Sequence, residues 1–517
     1  MMGKHQPQKE LFNYQVNLDK RVRDDHPLRR INAVLDLSFV PPAVEKFYGN
    51  NGHVGTDPVI LVKMMLLMFL DDIASERELV AIIAERLDYL WFLGYGLDDE
   101  VPNHSVLSKA RARWGREVFC QLFVRTVEQC VAAGLVNGSK LHIDSSLVRA
   151  NAARDSITES PPELVVALRE AYARQEQKLD QPAQEQQKVI QFANEEQKPD
   201  QPANEEQKSD QPANEEQKSD QPAKQGVNTS HVSKTDPEAT LARSSRMEVS
   251  QLSYKHHRAV DDAHGVITAV QTTTGQAGDA EQLLGLIQQH EANTQSKVTT
   301  AIGDKHYGSA ENYRYCQERN IQAHLGQAEA YVKGKFPVSD FVYESEQDRY
   351  RCPAGHYLYY HNFKKQVKLI EYKIEQESLC AGCALREKCT QSKTGRTITR
   401  PIFSELVQEA RAQANSPAAR ADRARRKYLM EGSFADGANN HGFKRSRWRG
   451  LWRQQIQDWL IAVVQNVRIL MKKACRPTGA VGTAALSPQS CFIDALLCQL
   501  RILGRFGSAS RWCALFS

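Results

Sequence analysis

The sequence predicts an all-α N-terminal domain followed by an α/β layer that is interrupted twice. Three observations carry this. Apolar residues recur at three and four spacings from about Leu28 to Gly138. At Lys140 the texture changes to short β-like runs that alternate with helical stretches. A decapeptide array then breaks that alternation between about Gln175 and His231.

The helical part rests on three words: VILVKMMLLMFLDDI, ERELVAIIAERLDYLWFLG and REVFCQLFVRTVEQCVAAG. Ser75 before Glu76 and Glu78, and Asn103 with Ser105, read as helix starts. Lys109, Arg111, Arg113 and Arg116 lie close together there, on either a solvated or a DNA-facing helix. The α/β part begins with LHID and continues through SYKHHRAVDD, GVITAVQTT, a helix from Asp279 to His290, KVTTAIGD, the helix-like SAENYRYCQERN and the strand-like IQAHL. Inside it, QPANEEQKSD occurs twice after two degenerate copies. Phe192 is the one aromatic residue between Tyr172 and Tyr254, so this stretch cannot bury enough apolar area to offset its ordering entropy and reads as a disordered surface insertion. From Tyr331 to Arg400 a second insertion carries Cys352, Cys380, Cys383 and Cys389. Long helices rich in Arg and Gln follow from Pro401 to Lys473, and the remainder has no clear periodicity.

These boundaries divide the 517 residues into a helical domain (1–138), the first part of the α/β core (139–326, with the insertion at 175–231), the Cys-rich insertion (327–400), the end of the core (401–473) and an atypical tail (474–517). That length excludes a peptide hormone or a disulfide-stapled mini-protein. Eleven cysteines, an odd and sparse set, suit a reducing compartment. The first residues lack a signal-type apolar run, and the most apolar stretch, Val59 to Leu70, is broken by Lys63, so the expected location is the cytoplasm, at the nucleoid. A net charge of +5, from 67 basic and 62 acidic residues, is too weak to define a nucleic-acid binder without the distribution.

Asp144 and Asp304 each close a strand-like run, and Glu431 lies in the later helical stretch KYLMEGSFADG. Three converging acids could hold two Mg²⁺ ions, which prefer oxygen ligands, for an in-line phosphoryl displacement. Among 62 acidic residues, spacing alone does not distinguish such a triad from acids that cap or solvate strand ends. The Cys380-x2-Cys383 step with Cys389 and the distant Cys352 fits either a structural tetrahedral zinc site or ordinary reduced thiols; four thiolates would leave no open catalytic position. The most basic words, RADRARRK and KRSRWRGLWR, flank Glu431. Their Arg425, Arg426, Lys444, Arg445, Arg447, Arg449 and Arg453, with Trp448, are the candidate DNA contacts, against a solvated helix face.

The words LHIDSSLVRANAA, SYKHHRAVDDAHGVITAVQTTTGQAGDAEQL, IGDKHYGSAENY and EGSFADGANNHGFKRSRWRGLWRQQIQDWLIAVVQNVRIL closely resemble bacterial insertion-sequence transposases of the DDE class, in the branch with a four-cysteine insertion. The resemblance covers most of residues 10–473 apart from the array, and includes NHSVLSKARARWG upstream. It implies an α/β RNase H-like core whose acidic triad is Asp144, Asp304 (with Tyr307) and Glu431 (with Phe434). It also implies double-stranded DNA as partner, at element ends and target, and a homo-oligomer in the synaptic complex. Asp261, Asp262, Asp279 and Asp436 match positions without a metal role. His142 reads as a packed histidine, and His306 and His441 as candidate accessory groups. Ala438 replaces a lysine common in relatives, a role Lys444 or Arg445 could take. Three readings stay open: an active transposase, a decayed copy that only binds DNA, and a resident RNase H-like nuclease.

Overall fold

The structure is a computed structural model that describes residues 16–48, 55–180, 227–245, 247–326, 335–364 and 369–474. It opens with helices α1 (Leu18–Arg21), α2 (Pro27–Val34), α3 (Val40–Val44), α4 (Pro58–Leu70), α5 (Glu76–Glu85), α6 (Leu87–Leu93) and α7 (Ser105–Ala132). Asp57 caps α4 by accepting from the Val59 amide, and Pro58 occupies its first turn. Apolar except at Lys63, α4 packs against α3, α5, α6 and α7 and against the later helix Leu451–Ala474. Ser75 caps α5 as the sequence predicts, by accepting from the Glu78 amide. Helix α7 is broken at Gly115, whose φ of +62° is open to glycine without a side-chain clash.

The α/β part holds β1 (Lys140–Arg149), β2 (Ile157–Glu159), α8 (Pro162–Asp180), α9 (Val227–Ser230), β3 (His231–Ser233), β4 (Thr240–Ala242), β5 (Gln251–Asp261), β6 (Ile267–Thr274), α10 (Leu283–Thr294), β7 (Thr300–Gly303), α11 (Ala310–Glu318) and β8 (Gln322–Leu325). Its main sheet is mixed, ordered β4-β5-β1-β7-β8 with β6 also on β5. Strand β5 runs antiparallel to both β1 and β6, whereas β7 and β8 run parallel to β1. Alternation along β1 separates two layers. Leu141 and Ile143 join a core with α10, α11 and the later α14 (Ser404–Ala414). The opposite face, from His142 to Val148, meets α15 (Pro417–Asn440) and α16 (Leu451–Ala474).

The Cys-rich stretch forms its own antiparallel sheet, ordered β13-β12-β11-β10-β9: β9 (Val342–Glu344), β10 (Arg349–Arg351), β11 (Tyr357–Lys364), β12 (Leu369–Ile374) and β13 (Thr397–Pro401). Two short helices, α12 (Glu377–Ala381) and α13 (Arg386–Cys389), carry Cys380 and Cys389, and Cys383 lies between them. Tyr350, Leu358, Tyr372 and Ile398 fill its core.

The largest core joins both ends of the described chain. Leu28, Met64, Phe69, Trp114 and Phe123 share one apolar cluster with Phe443, Ile456, Leu460 and Val464. Most of the decapeptide array, residues 181–226, and the tail from 475 onward lie outside the described residues. Regular structure enters the expected insertion from both ends: α8 reaches Asp180, six residues into it, and α9, packed on α8, and His231 of β3 occupy its last residues, because these segments pair with each other and with β2. No helix among the described residues is long and apolar enough to cross a membrane.

Candidate active site

Asp144 stands on β1, and Asp304 follows β7 directly. The parallel register pairs His142 with Ile302, so two residues further on the two aspartates fall side by side. Asp304 accepts from the His306 amide at 2.8 Å and thereby caps the turn Lys305–Tyr307. Asp144 accepts from the Ser145 amide at 2.9 Å and from Arg426 Nη1 at 2.6 Å. Burial pushes the Asp144 carboxyl above the usual range, Arg426 pulls it back down, and the nearby Asp304 charge raises it. The Tyr307 phenol, fully buried, is pushed up by burial and then by Asp279, Asp144 and Asp304. Ser145 Oγ donates to Asp279 at 2.7 Å, so that acid is engaged beside the pair.

Glu431 comes from α15. Ser416 caps that helix by accepting from the Ala419 amide, Pro417 starts it and an alanine-rich first half favours it. The helix continues through Asn439 to Asn440, and the chain reverses at Gly442 with φ +62°. A ladder of polar ties fixes α15 to the sheet. Lys140 Nζ meets Asp422 at 2.9 Å, and Asp422 also meets His324 Nδ1 at 2.8 Å. Arg425 pairs with Asp262, which contacts His142 Nε2 at 2.8 Å. Arg426 is on Asp144, and Ser433 is on Arg258 of β5.

Glu431 itself stands outside the aspartate pair. Its side chain is 68% exposed and its ion-pair partner is Lys427, at 3.9 Å. Among the described residues, no group of three or more His, Cys, Asp or Glu side chains is close enough to hold a metal ion. The donor chemistry of Asp144 and Asp304 suits a hard cation, but the third carboxylate is not gathered with them.

The basic residues expected at DNA divide into two groups. Arg447 is nearly buried, paired with Asp72 at 2.6 Å and stacked on Phe69. Trp448 donates to Glu76 at 3.2 Å, and the buried Arg111 lies over its ring. Arg425 and Arg426 pair with acids of the sheet. These four are occupied within the chain. Lys444, Arg445 and Arg449 remain exposed; Lys444 Nζ donates to Ser146 Oγ at 2.6 Å, on the same face of β1 as Asp144, and Arg453 is half-buried beside Trp452. His441 is buried between the Phe69 carbonyl and Arg468, and with Arg468, Gln465 and Asn440 it holds the Asp436 carboxyl below the usual range. His306 is exposed beside Asp304.

The four cysteines are free thiols lining one cavity of about 20 Å³, roughly the space of a single water. Cys352 Sγ accepts from the His356 amide at 3.3 Å. Burial raises the Cys389 thiol, and the other three cysteines add to the rise.

Sequence reasoning missed Arg258, His256 and Asp458, which form a buried network under α15. The signal was present: KHHR is a polar run inside a strand flanked by apolar residues, and polar groups in a buried strand must find partners within the fold.

The sheet thus presents two aspartates on adjacent parallel strands beneath a helix that carries a glutamate. Residues 16–113 match the family described as Transposase domain (DUF772), and residues 351–471 match the Transposase DDE domain, a stretch that includes Glu431 and the four cysteines. Both matches are to transposase domains and support, for this chain, an insertion-sequence transposase of the DDE class. No curated protein matches it.

Proposed function

We propose that this chain binds the terminal inverted repeats of its element, cleaves the DNA ends and transfers them to target DNA, using Asp144, Asp304 and Glu431 on an RNase H-like core. The observation that carries this reading is the Asp144–Asp304 pair on adjacent parallel strands, in a chain with transposase domains on both sides. A mixed sheet with three antiparallel strands followed by two parallel ones supports the core assignment. Asp144 and Asp304 have the donor chemistry for Mg²⁺, which when bound would supply Lewis acidity at the phosphate and a more acidic water; Glu431 would have to move toward them to complete the set. The chain's own part is to aim the carboxylates and to neutralise the DNA backbone. Lys444, Arg445, Arg449 and Arg453 suit phosphates entering beside the aspartates, and a homo-oligomer would bring two ends together. The four cysteines line one cavity, but a structural zinc ion there would need their thiols drawn closer together than they stand.

One observation favours the alternative of a decayed copy that binds DNA without cutting it: Glu431 faces Lys427 and solvent. Cleavage of a labelled element end with Mg²⁺ separates the two readings. The expected outcome is cutting by the parent, loss of at least about 1000-fold in Asp144→Ala, Asp304→Ala and Glu431→Ala, and end binding retained in all three. Salt-sensitive end binding by a parent that never cuts would leave only the decayed copy.

A further inference from the structure

We infer that Arg258 is a positioning residue of this active site: its guanidinium, opposite Asp144 on the neighbouring strand, grips the turn of α15 that follows Glu431 and so sets where that carboxylate stands. This rests on the triad reading proposed above.

The antiparallel register pairs Arg258 directly with Asp144, and directly opposite residues project from the same face of a sheet. From that face Arg258 Nη1 donates to Ser433 Oγ at 2.8 Å, to the Ser433 carbonyl at 3.4 Å and to Gln465 Oε1 at 3.1 Å. Nε donates to His256 Nε2 at 2.8 Å. Phe434 and Phe443 close over the guanidinium, with ring centres 4.4 and 4.9 Å from its carbon. Behind it, His256 Nδ1 meets Asp458 at 3.0 Å, and Asp458 is held by Thr272 at 2.6 Å and by Gln454 at 2.8 Å. One cation thus joins the strand facing Asp144, the turn after Glu431 and the last helix.

Its energetics point to orientation and not to bulk stability. Arg258 is wholly buried, and its hydrogen-bond acceptors among the described residues are neutral, while the charges of Asp458, Asp436 and Asp144 act on it without direct contact. Burial lowers its pKa to about 10, so it stays charged at neutral pH. Burying a charge on neutral acceptors is costly, and an apolar side chain of similar volume would fill the space without that cost. What an apolar chain cannot supply is a directed grip on Ser433. On α15, the tie from Arg426 to Asp144 precedes Glu431 and the tie from Ser433 to Arg258 follows it, so Glu431 is bracketed.

The test compares full-length parent, Arg258→Lys and Arg258→Met, with folding checked by circular dichroism and melting. Hydrogen exchange across residues 429–436 reads the grip. Mn²⁺-dependent cleavage of an element end reads the positioning. Expected in both variants are exchange in that turn about tenfold faster, end binding within about twofold of the parent, cleavage about 100-fold slower and a half-saturating Mn²⁺ concentration at least about fivefold higher. Unchanged exchange would overturn the grip while leaving the triad reading intact. Faster exchange with cleavage and Mn²⁺ dependence within about threefold of the parent would overturn the positioning role. A parent that does not cut overturns the nuclease reading itself, and the role of Arg258 with it. Should the Arg258 variants fail to fold, Ser433→Ala removes one acceptor and is expected to show the same pattern at about tenfold in cleavage.

Discussion

At the scale of single residues, the charges around Asp144 make the clearest demands. Arg426 counters the upward push of burial on that carboxyl, so its removal must raise the Asp144 pKa further. In Arg426→Gln the acid limb of the cleavage profile is therefore expected at higher pH than in the parent, which a pH–rate series reads directly. Buried histidines set a second dependence. Burial depresses His142, His256, His257 and His290, so each is neutral when folded and takes up its proton more readily when unfolded. With an unfolded pKa near 6.5, the stability they contribute is present above that pH and lost as pH falls toward their folded values, at up to about 1.4 kcal/mol per pH unit for each proton. Melting temperatures should fall between pH 7 and 5 and partly recover in His257→Gln. Asp304 follows the end of its strand as expected, but Asp144, expected to end one, stands midway along β1, which runs on to Arg149 because β5 pairs with it along that length. Arg447 and Trp448 were not legible as internal contacts: their partner acids Asp72 and Glu76 lie 375 and 372 residues away, and a basic-aromatic word looks alike whether it faces DNA or a distant carboxylate.

At the scale of elements, helix periodicity and capping made α4, α5 and α11 readable, and Lys140 did mark the first strand. The end of α15 was harder, because asparagine and glycine suggest a turn whose position tertiary packing then moves. Helix α15 persists to Asn440, and the reversal falls on Gly442. That glycine carries φ +62°, and a Cβ there would collide with Asp72 Oδ1 and lie 2.6 Å from Arg447 Nη2. Gly442→Ala should therefore cost about 1–3 kcal/mol through backbone strain and a disturbed Asp72–Arg447 pair. Chemical denaturation of the two proteins measures it, and an unchanged midpoint would refute the account.

At the scale of the molecule, the array enters where chain ends already meet. Helix α8 packs on α9, and β2 pairs with β3 on the two sides of residues 181–226. Those contacts do not need the repeats, so a chain without residues 181–226 is expected to keep end cleavage within about threefold, since loop length carries only a shallow entropic cost. Loss of cutting in that deletion would give the array a role its composition does not suggest. Sequence texture divided the helical part from the core that follows, yet the apolar cluster runs through both, because periodicity reports which face of a helix is buried and not which distant helix buries it.

That shared cluster gives the order of synthesis a meaning. Helices α2, α4 and α7 are made early on the ribosome, but α16, which packs against all three, is made after more than three hundred further residues. Until then the apolar flanks that await Ile456, Leu460 and Val464 stay uncovered, as in any partly made domain. A product cut short before α16, or shifted out of frame upstream of it, would leave that surface bare and be open to aggregation or proteolysis. The last described helix thus ties the durability of the part of the protein read first to the part read late.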